Sequence, residues 1–251
     1  MDTVSRRSFL GATAGTVSIA TAGGTITMAQ AAAQESAAAG AANVPAKKTG
    51  MRVGMLTVPF NGEPLENVIE FASKSGIAAL EVWSEPGCSQ IDLATFDAAR
   101  AEAIKKLLDQ RGVEISALAN YANMTEEGRT EELQAMAKKL IDAAVLLGVS
   151  VVCMQTGMPV GDRSRVFMIK KVVPQVYAPI IAYAKEKGIK IALENWFETC
   201  LLGIDTFECL FETITDDNFG LNYDPSHLVH QQCNHTLPLS MFPKRIFHTH
   251  A

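Results

Sequence analysis

The sequence predicts an α/β protein, a (β/α)8 TIM barrel that is truncated after its seventh strand. Glycines at positions 76, 112, 148 and 188 recur 36, 36 and 40 residues apart. Each follows a segment with helical spacing, where glycine ends a helix in the left-handed conformation, and each precedes an apolar run of strand length. The repeats are similar in length and no Gly-x-Gly-x-x-Gly loop accompanies them. They therefore favour a closed parallel barrel over an open nucleotide-binding sheet.

Seven strands can be assigned in order. They are expected at residues 51–58, 79–84, 114–120, 151–157, 190–196, 219–224 and 245–250. The helices between them are expected to begin at Pro64, near Phe96, after a cap at Thr130, near Pro174 and after a cap at Asp205. The fourth of these helices contains Pro174 and Pro179, so a kink is the alternative to a start near Pro174. A barrel needs eight strands and about 250 residues, whereas roughly 200 follow the N-terminal region. We therefore expect one strand and one or two helices to be missing from the C-terminal end.

The first fifty residues are expected to lie outside the barrel, which would span residues 51–251. Residues 1–31 are typical of a twin-arginine signal peptide, with Arg6-Arg7 before a mildly apolar segment and an A-x-A cleavage site at Ala29–Ala31. Residues 32–50 form an Ala-rich linker. These features predict a protein that is periplasmic or otherwise exported by the twin-arginine export machinery. The alternative is a disordered tail that happens to contain Arg-Arg. The segment is too weakly apolar for a good membrane span, so none is expected after signal removal.

Composition restricts the partners. The net charge of −5 and the pI of about 5.6 give no basic footprint for nucleic acid, so a small-molecule substrate is expected. The five cysteines are an odd number without CxxC spacing, which argues against zinc-finger, redox-motif and disulfide-framework proteins.

Three ionisable residues end successive strands. Glu194, Asp224 and His250 are separated by 30 and 26 residues, one βα unit each, so they should converge at the carboxyl end of the barrel. Two carboxylates and one imidazole suit Mn²⁺, Mg²⁺ or Co²⁺, with Zn²⁺ also possible. Taken singly, each has a plainer interpretation: a turn at Asp224-Pro225, an ion pair for Glu194, a core or surface role for His250.

His248 and Trp196 extend the predicted site. His248 alternates with His250 along one strand, so both side chains should point the same way. One of them would be a metal ligand and the other a supporting or substrate contact. Trp196 follows the fifth strand and is either a core residue or a stacking surface for a sugar ring.

Three motifs together resemble the xylose isomerase-like TIM barrel superfamily, and more closely its sugar phosphate isomerases and epimerases, which include ketose 3-epimerases and inosose dehydratases. They are Leu193-Glu194-Asn195, the segment from Asn222 to His227, and Phe247-His248-Thr249-His250-Ala251. The resemblance implies that Glu194 is both metal ligand and acid/base, that Asp224 and His250 are metal ligands, and that His227 contacts substrate hydroxyls. The family's fourth ligand, a glutamate on strand eight, is expected to lie in the missing part.

The expected function is that of a divalent-metal-dependent isomerase or epimerase acting on a sugar or sugar derivative through an ene-diolate. One alternative is a lyase or dehydratase acting on a keto-sugar or keto-glycoside; another is a non-catalytic truncated barrel. A DNA-repair enzyme like endonuclease IV is disfavoured, because that family places zinc-binding histidines on early strands and no histidine precedes His227 here.

Overall fold

The computed structural model describes residues 53–251, which form a curled sheet of parallel strands surrounded by helices. The strands are β1 (Gly54–Leu56), β2 (Ala79–Glu85), β3 (Glu114–Ala119), β4 (Val151–Gln155), β5 (Lys190–Glu194), β6 (Phe219–Tyr223) and β7 (Ile246–Thr249). Each pairs with the next in chain order, and a two-residue strand, Ile91–Asp92, pairs with β2. The predicted α/β barrel fold is confirmed. The predicted signal peptide (1–31) and linker (32–50) lie outside the described residues.

Helices lie between the strands, and most of them occupy predicted positions. They are α1 (Leu65–Lys74), α2 (Ala98–Arg111), α3 (Thr130–Leu147), α4 (Arg165–Lys171), α5 (Val173–Glu186), α6 (Ile204–Thr213), α7 (Pro225–His230) and α8 (Leu237–Met241). The sequence did not predict α4, α7 or α8, and the last two of these follow β6 in a polar segment. Among residues 53–251, no helix is both long and apolar enough to cross a membrane.

Two predicted helix caps are wrong. Thr130 is the first residue of α3 rather than its cap. Asp205 lies inside the first turn of α6, where Gly203 is the cap and the Thr206 hydroxyl accepts from the Gly203 N–H at 2.9 Å. The prediction of a helix start near Pro174 is confirmed, since α5 begins at Val173. Proline suits the first turn of a helix because the backbone N–H that it lacks would have no intrahelical acceptor there.

Alternate side chains along the strands form two apolar layers. One set faces the helices and packs against them, including the fully buried Leu80, Leu118 and Leu193. The other set faces the barrel interior and consists mainly of small residues. These are Ala117, Ala119, Val151, Cys153 and Ala192. Burying each large side chain of the outer layer stabilises the fold by roughly 1.5–3 kcal/mol. The small inner residues leave room for polar side chains at the carboxyl ends of the strands.

Gly220 allows β6 and β7 to approach closely. A Cβ atom there would collide with the backbone carbonyl of Arg245 and the ring of Phe247. The Arg245 guanidinium donates to the carbonyl oxygen of Phe219 at 2.9 Å, which ties the start of β7 to β6. The histidines of β7 are thereby brought beside the residues that follow β6.

Within residues 53–251, β1 and β7 each pair along one side only. A cavity of about 810 Å³ lies between them and reaches the barrel interior. Its walls include Gly54–Leu56 on one side, Ile246–Ala251 on the other, and Glu81 and Asp224 inside. The described sheet is therefore open along one side, and the polar interior is reached through that opening.

Candidate metal centre

Three side chains converge at the carboxyl ends of β5, β6 and β7. Glu194 is the last residue of β5, Asp224 directly follows β6 and His250 directly follows β7. Nδ1 of His250 lies 3.3 Å from Oε1 of Glu194 and 3.4 Å from Oδ2 of Asp224. One potential ligand atom from each residue lies within 4.8 Å of the others. The sequence prediction that these residues meet agrees with this geometry, and their roles as ligands stay a prediction.

Asp224 is held in place through its backbone and one carboxylate oxygen. Its N–H donates to Oδ1 of Asn195, and the Asn195 amide donates to its carbonyl oxygen, both at 2.8 Å. Oδ1 of Asp224 caps α7 by accepting from the Ser226 N–H at 2.8 Å and from the Ser226 hydroxyl at 2.5 Å. Oδ2 is thereby left facing His250.

The first turn of α7 directs His227 back towards the same carboxylates. Its Nε2 lies 3.5 Å from Oε1 of Glu194 and 3.6 Å from Oδ2 of Asp224. The ring of Phe197 packs edge-on against the imidazole, with centroids 5.8 Å apart. His227 is therefore adjacent to the three convergent residues. Trp196 packs edge-on against Phe197 at 5.8 Å, and its predicted contact with a sugar ring stays a prediction.

His248 on β7 and His250 directly after it point towards Glu81, a carboxylate to which sequence reasoning gave no specific role. Oε2 of Glu81, on β2, lies 2.8 Å from Nε2 of His250 and 3.3 Å from Nδ1 of His248. The Glu81 side chain is only 3% exposed. The prediction that His248 and His250 share an orientation is confirmed, and Glu81 is the group that they share.

Glu81 is part of a buried polar network. The Tyr121 hydroxyl donates to Oε1 of Glu81, and the Asn222 amide donates to the Tyr121 oxygen at 3.1 Å. Nδ1 of His248 lies 3.0 Å from Oδ1 of Asn222, and its Nε2 lies 3.1 Å from the Ser116 hydroxyl. These contacts link strands β2, β3, β6 and β7 beneath the convergent residues.

A second group of potential metal ligands lies within this network. One atom each of Glu81, Cys153 and His248 lies within 4.8 Å of the others. Both ring nitrogens of His248 already have polar neighbours, and burial raises the pKa of the Cys153 thiol well above its usual value. We therefore interpret Glu81, Cys153 and His248 as residues that support the site at Glu194, Asp224 and His250, and not as a separate ion site.

The strand pairing shifts by one residue at two places beside this polar network. Leu80 pairs with Ile115 but Glu81 pairs with Ala117, so Ser116 is an extra residue in β3. A similar shift at Leu221/Asn222 leaves Phe247 extra in β7. Such bulges redirect side chains. Here the first of them lies at Ser116, whose hydroxyl reaches His248.

Sequence reasoning gave no role to four residues that support the site, although it counted Glu81 or Trp83 among the polar groups at the strand ends and included Asn222 in a motif. They are Glu81, Ser116, Tyr121 and Asn222. Two of them left a usable signal. Glu81 interrupts an apolar strand, and a buried carboxylate needs a partner. Asn222 is two residues before Asp224 and so lies on the same side of the strand. Ser116 and Tyr121 gave no comparable signal.

The electrostatics of the site centre on His250. Burial lowers its pKa, but the hydrogen bonds that its ring donates to Asp224, Glu194 and Glu81 outweigh that effect and raise the pKa to about 12. Burial raises the pKa of Asp224, yet His250 and Ser226 hold it well below its usual value. The pKa of Glu81 is also lowered despite burial, chiefly by His250. The pocket thus holds a positive charge between carboxylates. A divalent cation fits the same donor set, because it can replace the proton on Nδ1 between Glu194 and Asp224.

A parallel α/β barrel with carboxylates and imidazoles at the carboxyl ends of its strands defines a class of ligand-binding barrels. The chain belongs to one family within that class, the xylose isomerase-like TIM barrels, whose sequence model matches residues 69–251. The resemblance of the three motifs to this family is therefore confirmed.

The similar proteins include an uncharacterised protein of Bacillus subtilis strain 168, YfiH. It is 26% identical over 227 residues, which cover 80% of this chain and 72% of the relative. A D-psicose 3-epimerase crystallised in the presence of D-fructose superposes with a TM-score of 0.64 at 14% identity, covering 80% of this chain and 72% of the other. The IolI protein with a bound zinc atom gives 0.63 at 20% identity, with the same coverages. A Mycobacterium smegmatis family member in complex with magnesium gives 0.60 at 17% identity, covering 77% and 71%. At these identities the solved structures show the fold alone.

Proposed function

We propose that this protein is a divalent-metal-dependent isomerase or epimerase that acts on a sugar or sugar derivative through an ene-diolate. The observation that carries the proposal is the meeting of Glu194, Asp224 and His250 within 4.8 Å at the carboxyl ends of adjacent strands. His227 lies beside them, and family membership supports the reaction class.

The donor set supports Mn²⁺, Mg²⁺ or Co²⁺, with Zn²⁺ as a further candidate. The zinc and magnesium found with two similar proteins belong to those proteins and support the class of ion only. When bound, the cation supplies Lewis acidity, which polarises a carbonyl oxygen and stabilises negative charge that develops on it.

The proposed roles of the side chains depend on which of their oxygen atoms already accept hydrogen bonds. Oδ1 of Asp224 is occupied by Ser226, so Asp224 is suited to a fixed ligand role through Oδ2. Oε2 of Glu194 accepts no hydrogen bond from residues 53–251, so it can take a proton from the carbon beside the substrate carbonyl. His227 is placed to bind a substrate hydroxyl, and His248 is held deeper, towards Glu81 and Ser116.

Solvent-deuterium exchange tests the proposal whichever product is formed. The protein is incubated in D₂O with Mn²⁺ and a panel of neutral ketoses and keto-glycosides, and NMR detects deuterium at the carbon beside the carbonyl. The expected result is metal-dependent exchange that is lost in Glu194→Gln. Exchange accompanied by loss of a substituent would identify a lyase or dehydratase instead. Sugar binding without exchange would indicate a non-catalytic barrel, and either result would overturn the isomerase or epimerase assignment.

We also propose export to the periplasm by the twin-arginine machinery, on the basis of residues 1–31 alone. The test is a fusion of residues 1–31 to a reporter that is active only after folded export. Replacing Arg6 and Arg7 together by lysine is expected to retain the reporter in the cytoplasm, and unchanged export would refute the proposal.

A further inference from the structure

His250 is held between carboxylates on both sides of its ring. Nδ1 faces Glu194 and Asp224 at 3.3 and 3.4 Å. Nε2 faces Oε2 of Glu81 at 2.8 Å, the shortest of the three contacts. The ring is therefore shared between the proposed cation position and a carboxylate on the opposite side.

The contact with Glu81 determines which nitrogen can bind a cation. A carboxylate oxygen and an unprotonated ring nitrogen would repel each other at 2.8 Å, so Nε2 carries a proton and donates it to Glu81. The Asn222 amide nitrogen, 3.1 Å from Nε2, is then a neighbour rather than a donor, and it donates to Tyr121 instead. Once Nδ1 loses its proton, its lone pair points at Glu194 and Asp224.

Glu81 is itself rigidly supported. It lies inside β2, is 2% exposed as a whole residue, and pairs with both β1 and β3. The Tyr121 hydroxyl donates to its other oxygen, Oε1. Because removing a carboxylate from water is costly, a buried glutamate persists where specific partners stabilise it. Here those partners are the two histidines of β7 and Tyr121.

We propose that Glu81 is a positioning residue for the metal centre. It fixes the ring orientation and the Nε2-protonated tautomer of His250, so that Nδ1 is presented to the cation. The inference rests on the proposed function, since it requires a cation at Glu194, Asp224 and His250. When a histidine binds a metal through one ring nitrogen, a carboxylate often accepts a hydrogen bond from the other. Removing such a carboxylate typically lowers metal affinity by about 10- to 100-fold.

The test compares four full-length variants with the parent protein. Mn²⁺ affinity is measured by calorimetry, and the visible spectrum of the Co²⁺-loaded protein reports ligand geometry. Glu81→Ala is expected to weaken Mn²⁺ binding by about 10- to 100-fold and to change the Co²⁺ spectrum. Glu81→Gln keeps an acceptor for Nε2–H and is expected to recover part of the affinity. Tyr121→Phe removes only the hydroxyl that fixes Glu81 and is expected to give a smaller change in the same direction.

Glu85→Gln is the matched control, because Glu85 lies at the end of the same strand, outside the described network. Its Mn²⁺ affinity and Co²⁺ spectrum are expected to match those of the parent. If Glu81→Ala does not fold, the Gln and Phe variants decide the question. Parent-like affinity and spectra in the folded variants would overturn the role of Glu81 and leave the metal centre intact. Absence of Mn²⁺ and Co²⁺ binding in the parent would instead overturn the proposed function, and the inference with it.

Discussion

Replacing Asp224 by asparagine tests the metal centre with little disturbance of the fold. Oδ1 of Asp224 accepts from the Ser226 N–H and hydroxyl, whereas Oδ2 faces Nδ1 of His250 at 3.4 Å. The N–H of Ser226 requires an acceptor, so the amide oxygen of Asn takes the place of Oδ1. The amide NH₂ group then takes the place of Oδ2. A hydrogen-bond donor thus replaces the oxygen that would bind the cation.

The size of the effect can be bounded from the geometry. Losing a residue that only orients a ligand lowers metal affinity by about 10- to 100-fold. Asp224→Asn removes a direct, charged ligand, so we expect a loss of at least about 100-fold, or roughly 2.7 kcal/mol. Asparagine caps helices as well as aspartate does, so the cap of α7 is retained.

Calorimetric titration with Mn²⁺ provides the measurement, and chemical unfolding shows that the variant still folds cooperatively. Asp217→Asn is the control, because Asp217 precedes β6 at its opposite end and its side chain is 89% exposed. This control is expected to bind Mn²⁺ like the parent. An affinity of folded Asp224→Asn within about threefold of the parent, less than 1 kcal/mol, would refute the ligand assignment.

Three further predictions concern other parts of the site. Glu194→Gln should slow deuterium exchange into a substrate by about 10²- to 10⁴-fold, because an amide cannot take the proton, and an unchanged rate measured by NMR would place the base elsewhere. In the metal-free protein, the pKa of His250 is raised from 6.5 to about 12, so its contribution to stability is complete below pH 6.5 and is lost as the pH rises towards 12. Urea unfolding should therefore show a decline in stability above pH 6.5 that is absent in His250→Asn; parallel profiles would contradict the raised pKa. Gly220→Ala should lower the unfolding free energy by about 1–3 kcal/mol, because its methyl group would collide with Arg245 and Phe247. An unfolding free energy equal to that of the parent protein in the same urea titration would exclude this collision.

The parallel sheet could be predicted because its signal is local and repeated. Each glycine near a helix end precedes an apolar strand, and the resulting order of β2 to β7 is confirmed. The positions of Glu194, Asp224 and His250 followed from the same repeat, because equivalent strand ends of a parallel sheet meet at one edge. Helix caps were harder to predict, since Thr130 and Asp205 both lie within one or two residues of the true cap.

The role of Glu81 could not be derived by that reasoning, because it depends on contacts between distant strands. It is separated from His250 by 169 residues and lies within its strand rather than at the strand end. The bulge at Ser116, which changes the register beside Glu81, leaves no periodic pattern in the sequence. Strand ends therefore predict which side chains can meet a ligand, whereas the residues that orient those side chains lie one layer deeper. In this protein, a charged residue inside an otherwise apolar strand is the most useful sequence indicator of that deeper layer.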